Sequence, residues 1–388
     1  MRQLCLDSNS GVSDDVLRMI SANSSDEVLF PSLRELTWEV QSYPLDRLFL
    51  SPQLKHFVTY SRLDRLPDEL ISNLTPAIVE LQASSLQSLQ IYLGDMEKET
   101  PTSLRSATSS AVLRCGPSLT SLSVPTPLSD AATQHVMQLP KLAKWTAWSG
   151  PPRIPDLSLS DAFPQLEHLE LCTEASLEWL PLFEANARRA CPGQKPGQRL
   201  TALICRERLL DAAFVSPVML FRGLVHLSLQ PPCSSLGRCA FHLTDEDIAE
   251  ITAALPNLVR AMFGFACSAN SCRTTVSSLL FFSARCKNLE SLGIHFNTKN
   301  LHRDLESMVE NPRLRDLFAL PNCRPLVLLV GYAPLPIEGV DYWPVIEGFW
   351  RIFPHFCGVS RMTLGWRKLG FRMLAGLRDD DRGVGGVP

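Results

Sequence analysis

Five residues come nearest to a metal-ligating set: Cys233, Cys239 and His242, followed by Cys267 and Cys272. Thiolates and imidazoles hold zinc tetrahedrally when two ligands from one tight turn meet two from another. Here no C-x2-C pair occurs and the five residues span two sequence repeats, so they read as buried or loop side chains and no metal is expected. The eight histidines offer the other chemistry, proton transfer or ligation, provided the fold gathers several of them at one point. The chain has no Gly-rich phosphate loop, no G-x-S-x-G and no H-E-x-x-H. The expectation is a protein that is not an enzyme, with no catalytic residues and no cofactor.

What the histidines can do depends on the elements that carry them, and those elements repeat. With Leu33, Leu36 and Trp38 as positions one, four and six of L-x-x-L-x-L, the spacing returns from Leu54, Leu86, Leu119, Leu142, Leu166, Leu200, Leu224, Leu258 and Leu289. The mean interval, about 28 residues, suits a strand plus a full helix. The stretch from Thr244 to Phe296 shows the unit most clearly. Thr244 with Asp247 forms a helix-starting cap, Ile248, Ile251 and Leu255 mark an apolar helical face, and Pro256 ends the helix. Leu289, Leu292 and Ile294 then give a short strand with alternate residues inward. The predicted fold is α/β: a leucine-rich-repeat solenoid with a parallel sheet on the concave face and helices on the convex face.

Helix starts are expected at Ser13, Thr102 and Ser129, and Pro344 suits the first turn of a helix bearing Val345, Ile346, Phe349, Trp350 and Phe353. The turn-rich stretches 149–155 and 191–198 are insertions between repeats, because the period resumes after each. Beyond Leu289 two registers compete, one through Leu314 and Leu317, the other through Cys323, Leu326 and Leu328. The second is preferred, because LVLLV is rich in strand formers and Val359, Met362 and Leu364 then follow. The solenoid is placed over residues 1–370 and a disordered tail over 371–388. Met1, Leu4 and Leu6 already stand at positions one, four and six, so the chain is expected to open mid-repeat, as a fragment of a longer protein.

If positions four and six point inward, positions three, five and seven line the concave face. His56, His168 and His226 fall at position three and His295 at position seven. Neighbouring strands lie about 4.8 Å apart, so histidines two or more repeats apart cannot share an ion. The same face would carry Glu35, Glu39, Tyr60, Tyr92, Trp148, Glu170, Arg206 and Arg260. Tyr, Trp and Arg suit the anchoring of an extended protein target, and the histidines are counted with them on the same face. Its segment is expected to be basic beside Glu35 and Glu39, and acidic or aromatic beside Arg206 and Arg260.

Composition narrows the partners. Net charge is −3 from 37 basic and 40 acidic residues, so no overall field draws the chain to nucleic acid or an anionic membrane. No apolar run reaches the roughly 18 to 20 residues of a membrane span, and the start has no signal core. The 12 cysteines are scattered singly, which predicts reduced, buried thiols and a cytoplasmic or nuclear location.

LPDELISNL, from Leu66, resembles the opening of an F-box, but TPAIVELQASSLQSLQIYL after it returns at once to the repeat, which favours a convex-face helix. FPSLRELTWEV, FPQLEHLELC, LTDEDIAEITAALPNL, CKNLESLGIHF and IFPHFCGVSRMTLGW are similar, in that order, to segments of the leucine-rich-repeat region of fungal, basidiomycete-like F-box proteins, of the ribonuclease-inhibitor-like type. The resemblance implies a substrate-recruiting subunit of a ubiquitin ligase that does no bond chemistry. A ligase adaptor would be a partner only if an F-box lies upstream of Met1. The alternative is a stand-alone repeat scaffold, using the same face and unrelated to ubiquitin.

Overall fold

The structure is a computed structural model, described over residues 2–6, 15, 16, 19, 28–40, 49–61, 63, 67–93, 101–124, 126–147, 163–171, 179, 200–205, 212–230, 241–264, 272–297, 300–318, 326–330, 343–354 and 356–360. It divides into two compact units, Met1–Asn186 and Ala187–Pro388. The first holds β1 (Gln3–Leu6), β2 (Glu35–Glu39), β3 (His56–Tyr60), α1 (Asp68–Glu80), β4 (Ser88–Tyr92), α2 (Thr102–Leu113), β5 (Ser121–Ser123), α3 (Asp130–Gln138), β6 (Lys144–Ala147) and β7 (His168–Leu171). The second holds β8 (Ala202–Cys205), α4 (Ala212–Val218), β9 (His226–Leu229), α5 (Asp245–Ala254), β10 (Arg260–Phe263), α6 (Ser277–Arg285) and β11 (Ser291–Ile294). It continues through α7 (Leu301–Glu310), α8 (Pro312–Phe318), β12 (Leu326–Val330), α9 (Trp343–Ile352) and β13 (Phe356–Ser360). Within each unit the strands stand in chain order and pair in parallel, so the leucine-rich-repeat α/β solenoid is the observed architecture.

The period produces this because each repeat hands the same groups to the next. Leu36, Phe57, Leu89, Leu122, Trp145 and Leu169 meet rung by rung, as do Leu203, Leu227, Ala261, Leu292 and Leu328. All of them are buried, and each large side chain removed from water contributes about 1.5–3 kcal/mol. Two successive amides of one repeat share a single carbonyl of the repeat before. Lys55 and His56 donate to Arg34, Gln87 and Ser88 to Lys55, and Val259 and Arg260 to Val225. That shared acceptor locks the register independently of the side chains.

Helix starts are set locally where both capping partners lie in one stretch. The Thr244 hydroxyl accepts from the Asp247 amide at 3.3 Å while the Asp247 carboxylate accepts from the Thr244 amide at 2.7 Å, the reciprocal cap expected. Ser129 caps α3 through the Ala132 amide at 3.3 Å. Thr102 does not cap: Pro101 occupies the cap position and Thr102 is already helical, because proline fixes the turn one residue earlier. Ser13 lies outside the described residues. The F-box-like segment opens α1, which turns Ile71, Leu74, Ala77 and Ile78 into the core as the helix of a repeat.

Long-range polar contacts stitch successive helices. The Arg114 guanidinium, at the end of α2, donates to the Val79 carbonyl at 2.7 Å and so caps the last turn of α1. Asp245 accepts from the Thr275 amide at 2.8 Å, the Thr275 hydroxyl at 2.6 Å and the Ser278 hydroxyl at 2.5 Å, holding the start of α6 against α5. Nearby Asp304 pays for that arrangement. Burial, then the Asp245 charge, raises its pKa above the ordinary carboxylate value, against a smaller pull from Arg303. The folded state therefore holds this proton at higher pH than the unfolded chain, and its stability falls as pH rises through the carboxylate range. Asp304→Asn is expected to raise the melting temperature at neutral pH and to leave it unchanged below that range, which scanning calorimetry across pH checks.

The late register differs from expectation by two residues. Leu314 and Leu317 lie in α8, so the strand is indeed LVLLV, with Leu326 and Leu328 both buried. Yet Leu292 pairs with Leu328 and Ile294 with Val330, making Leu328 position four where position six was expected. Val359 in turn pairs with Leu328 and so also stands at position four, not one. A uniformly apolar strand keeps its inward faces when slid by two, so hydrophobic pattern alone does not set its rung. The insertions at 149–155 and 191–198 and the expected tail at 371–388 lie outside the described residues. Among the described residues no helix is long and apolar enough to cross a membrane.

Candidate binding face

In the first unit, position three reads Gln3, Glu35, His56, Ser88, Ser121, Lys144 and His168 from rung to rung. Glu35 and Lys144 are exposed, and His56 and His168 half-buried. Glu35 and His56 face each other across one rung. The histidines of β3 and β7 stand four rungs apart, so they form no common site, as the spacing implies. Position five adds Thr146 and Glu170, whose side chains meet at 3.4 Å.

Position seven is where face assignment by alternation breaks down. Tyr60 and Tyr92 do lie on adjacent rungs, Tyr60 half-buried and Tyr92 47% exposed. The Tyr92 hydroxyl donates to the Gln90 amide oxygen at 3.2 Å, and the Gln90 amide nitrogen donates to the Ser88 hydroxyl at 3.0 Å, so one polar chain runs along β4. Glu39, however, is only 1% exposed, and His295 likewise. Both belong to the interior, which corrects their placement on the face. Alternation holds only while the chain stays extended. β2 ends at Glu39, and Trp38, Glu39 and Val40 are buried in succession. His295 follows the end of β11; its amide donates to the Phe263 carbonyl at 3.0 Å and its carbonyl accepts the Thr274 hydroxyl at 2.6 Å. Trp148 and Arg206 lie outside the described residues.

In the second unit the position-three ladder is Ala202, His226, Arg260, Ser291 and Val327. Arg260 is exposed, His226 half-buried and Val327 40% exposed. Burial, and then the adjacent Arg260 charge, lowers the His226 pKa below its ordinary value. Val327, Met262, Lys144 and Gln90 extend the face beyond the residues singled out in the sequence. The same one-in-two rule reaches them, but attention to charged and aromatic types alone passed over Val327, Met262 and Gln90.

Two of the buried cysteines are poorly suited to act as nucleophiles. Burial pushes the Cys115 and Cys286 thiols up to about 12, against weaker opposing pulls from Arg114 and from Arg285 and Lys287. Cys205 and Cys272 are buried as well, whereas Cys5 is exposed, a departure from the uniformly buried expectation. Cys5 stands at position five of β1, on the open side of the sheet. Of the zinc-like set, His242 is exposed and Cys272 buried, while Cys233, Cys239 and Cys267 lie outside the described residues. Among the described residues no group of three or more His, Cys, Asp or Glu side chains is placed to hold a metal ion.

Fold and face together define an α/β repeat architecture in which the parallel strands of each unit carry polar side chains that reach solvent, with Tyr60 and Tyr92 among them in the first. Compared with protein-family models and with curated proteins, the chain matches none.

Proposed function

We propose that the chain is a protein-interaction module whose open sheet face holds an extended segment of a target. In its fuller form, it is the substrate-recruiting repeat region of an F-box-type ubiquitin ligase adaptor, working in the cytoplasm or nucleus without bond chemistry of its own. The observation that carries the binding reading is the registered row of side chains that reach solvent, above all Tyr60 beside Tyr92. Tyrosine offers large contact area with few rotors to freeze, which is why it anchors interfaces. The ligase reading rests on the ordered resemblance of five segments to fungal F-box proteins, and it holds only if an F-box lies upstream of Met1.

The test is affinity capture from fungal extract with the chain and with a Tyr60→Ala/Tyr92→Ala double variant, next to a form extended upstream where the reading frame continues. The target should be retained by the first and weakened at least tenfold by the second, with the melting temperature of the variant within a few degrees of the parent. Ligase subunits should appear only with the extended form. Capture of the target without any ligase subunit from the extended form would favour the stand-alone scaffold. Equal capture by parent and double variant would place the binding surface elsewhere.

A further inference from the structure

We propose that the His226–Arg260 rung of the second unit receives a carboxylate from an acidic segment of a bound protein, and that this binding is coupled to protonation of His226. The proposal rests on the reading of the sheet face as a binding face and names the chemistry of one part of its partner.

Register puts His226 and Arg260 directly opposite each other on β9 and β10, about 4.8 Å between strands. Both stand at position three, on the open side. Two groups that are cationic, or become so, are thus set side by side, and neither side chain has a hydrogen-bond or ion-pair partner among the described residues.

Among the described residues, the strands on either side supply no counter-charge. On the other side of His226, β8 presents Ala202 and Ile204. Along β9 the next outward residue is Ser228 and along β10 it is Met262. Beyond Arg260, β11 presents Ser291 and Gly293. Glu290, which precedes β11, already has an interaction of its own. The first unit contains the same kind of pair and treats it differently. Lys144 faces His168 across β6 and β7, but Glu170 lies two residues along β7 on the same side, with the Thr146 hydroxyl donating to it. Among the described residues, the carboxylate built into the first unit has no counterpart on β8–β11, where an incoming one would meet an uncompensated rung.

The chemistry of the visitor follows. A guanidinium and an imidazole across one rung suit a carboxylate, which accepts from both. Half-buried Met262, two residues along β10, and exposed Val327, two rungs beyond Arg260, offer apolar contact around the charge. An acidic residue flanked by apolar ones therefore fits better than a purely acidic run. Burial, and then Arg260, disfavour the imidazolium form of the free His226. A carboxylate docked against it reverses the local charge and favours the imidazolium. The complex then binds more protons than the free protein, so affinity rises as pH falls through the histidine range.

The experiment is fluorescence anisotropy with a fluorescein-labelled Gly-Leu-Glu-Val-Glu-Leu-Gly peptide and its Gln counterpart, at about pH 8 and about pH 5.5. The probes are titrated with the full chain, with Arg260→Gln and with His226→Asn. The expected result is about tenfold tighter binding of the Glu peptide at the lower pH, the size of a one-unit pKa change. Arg260→Gln should weaken it about tenfold at both pH values, His226→Asn should abolish the pH dependence, and the Gln peptide should show neither binding nor pH response. Both substitutions alter side chains on the open side of the sheet, and circular dichroism is used to check that the variants are folded. Equal binding of Glu and Gln peptides, no binding of the Glu peptide, or a pH dependence that survives in His226→Asn would each overturn the proposal. A target still captured through Tyr60 and Tyr92, yet indifferent to Arg260→Gln, would overturn it while leaving the protein-binding reading intact. A target captured yet indifferent to all four positions would remove the sheet face as the binding site too.

Discussion

Replacing Trp145 with alanine should cost about 3–5 kcal/mol of stability, the range for emptying a large aromatic site in a packed core. Trp145 is the position-four residue of β6 and is 1% exposed. Its ring lies 5.1 Å from that of Phe163 and 5.2 Å from that of Trp179, the second pair nearly perpendicular at 82°. On the neighbouring rungs it meets Leu122 and Leu169, both buried. Strands on either side are tied by the shared-carbonyl hydrogen bonds, so the walls cannot collapse to fill the void. Phe163 adds to the cost. It holds a φ of 56°, which a side chain adopts at an expense of roughly 1–3 kcal/mol, and its seat against Trp145 is what offsets that strain. Trp145→Phe should be far milder, because the indole N–H has no acceptor among the described residues and its removal leaves no partner stranded. Urea unfolding of the two variants measures the difference. A Trp145→Ala loss below about 1 kcal/mol would mean that the aromatic cluster does not hold the repeat together.

Gly264→Ala should be the second most damaging single change, although it adds one methyl group. Gly264 ends the β10 rung with φ +57°, and its amide donates to the Leu229 carbonyl at 2.9 Å. An added Cβ would stand 2.8 Å from the Phe241 Cδ2 and 3.0 Å from its Cγ, and Phe241 is itself fully buried. Backbone strain contributes roughly 1–3 kcal/mol and displacement of a packed ring a comparable 1–3 kcal/mol. The two parts separate in a double variant. Phe241→Leu should recover some stability in the Gly264→Ala background by relieving the clash, whereas the left-handed backbone penalty stays. Complete recovery, or none, would show that one of the two causes is wrong.

These residues also show what the sequence could reveal. Leu36, Leu89, Leu292 and their partners were legible because a leucine period near 28 residues carries both the inward pattern and the rung order. The Thr244–Asp247 cap was legible because both partners sit within one helical turn. Glu39 and His295 were misplaced because alternation was carried to the last residue of one strand and past the end of another. The β12 register escaped because LVLLV has little polar contrast to fix a two-residue slide. Thr102 lost its capping role to a proline whose geometry outranks hydroxyl preference. On the face, the His226–Arg260 pairing follows from position three alone, but the lack of a neighbouring carboxylate among the described residues is a three-dimensional fact, visible only against Glu170 in the first unit.

Site-specific photo-crosslinking tests the binding-face claim most directly. Benzoylphenylalanine placed at Tyr92 sits on the sheet side at 47% exposure, and at Val79 on α1 it sits at a nearly equal 49%, so reach into solvent is matched. With the captured target present, adducts should form from position 92 and not from position 79. Adducts from position 79 alone, or equally from both, would contradict a sheet-face binding site.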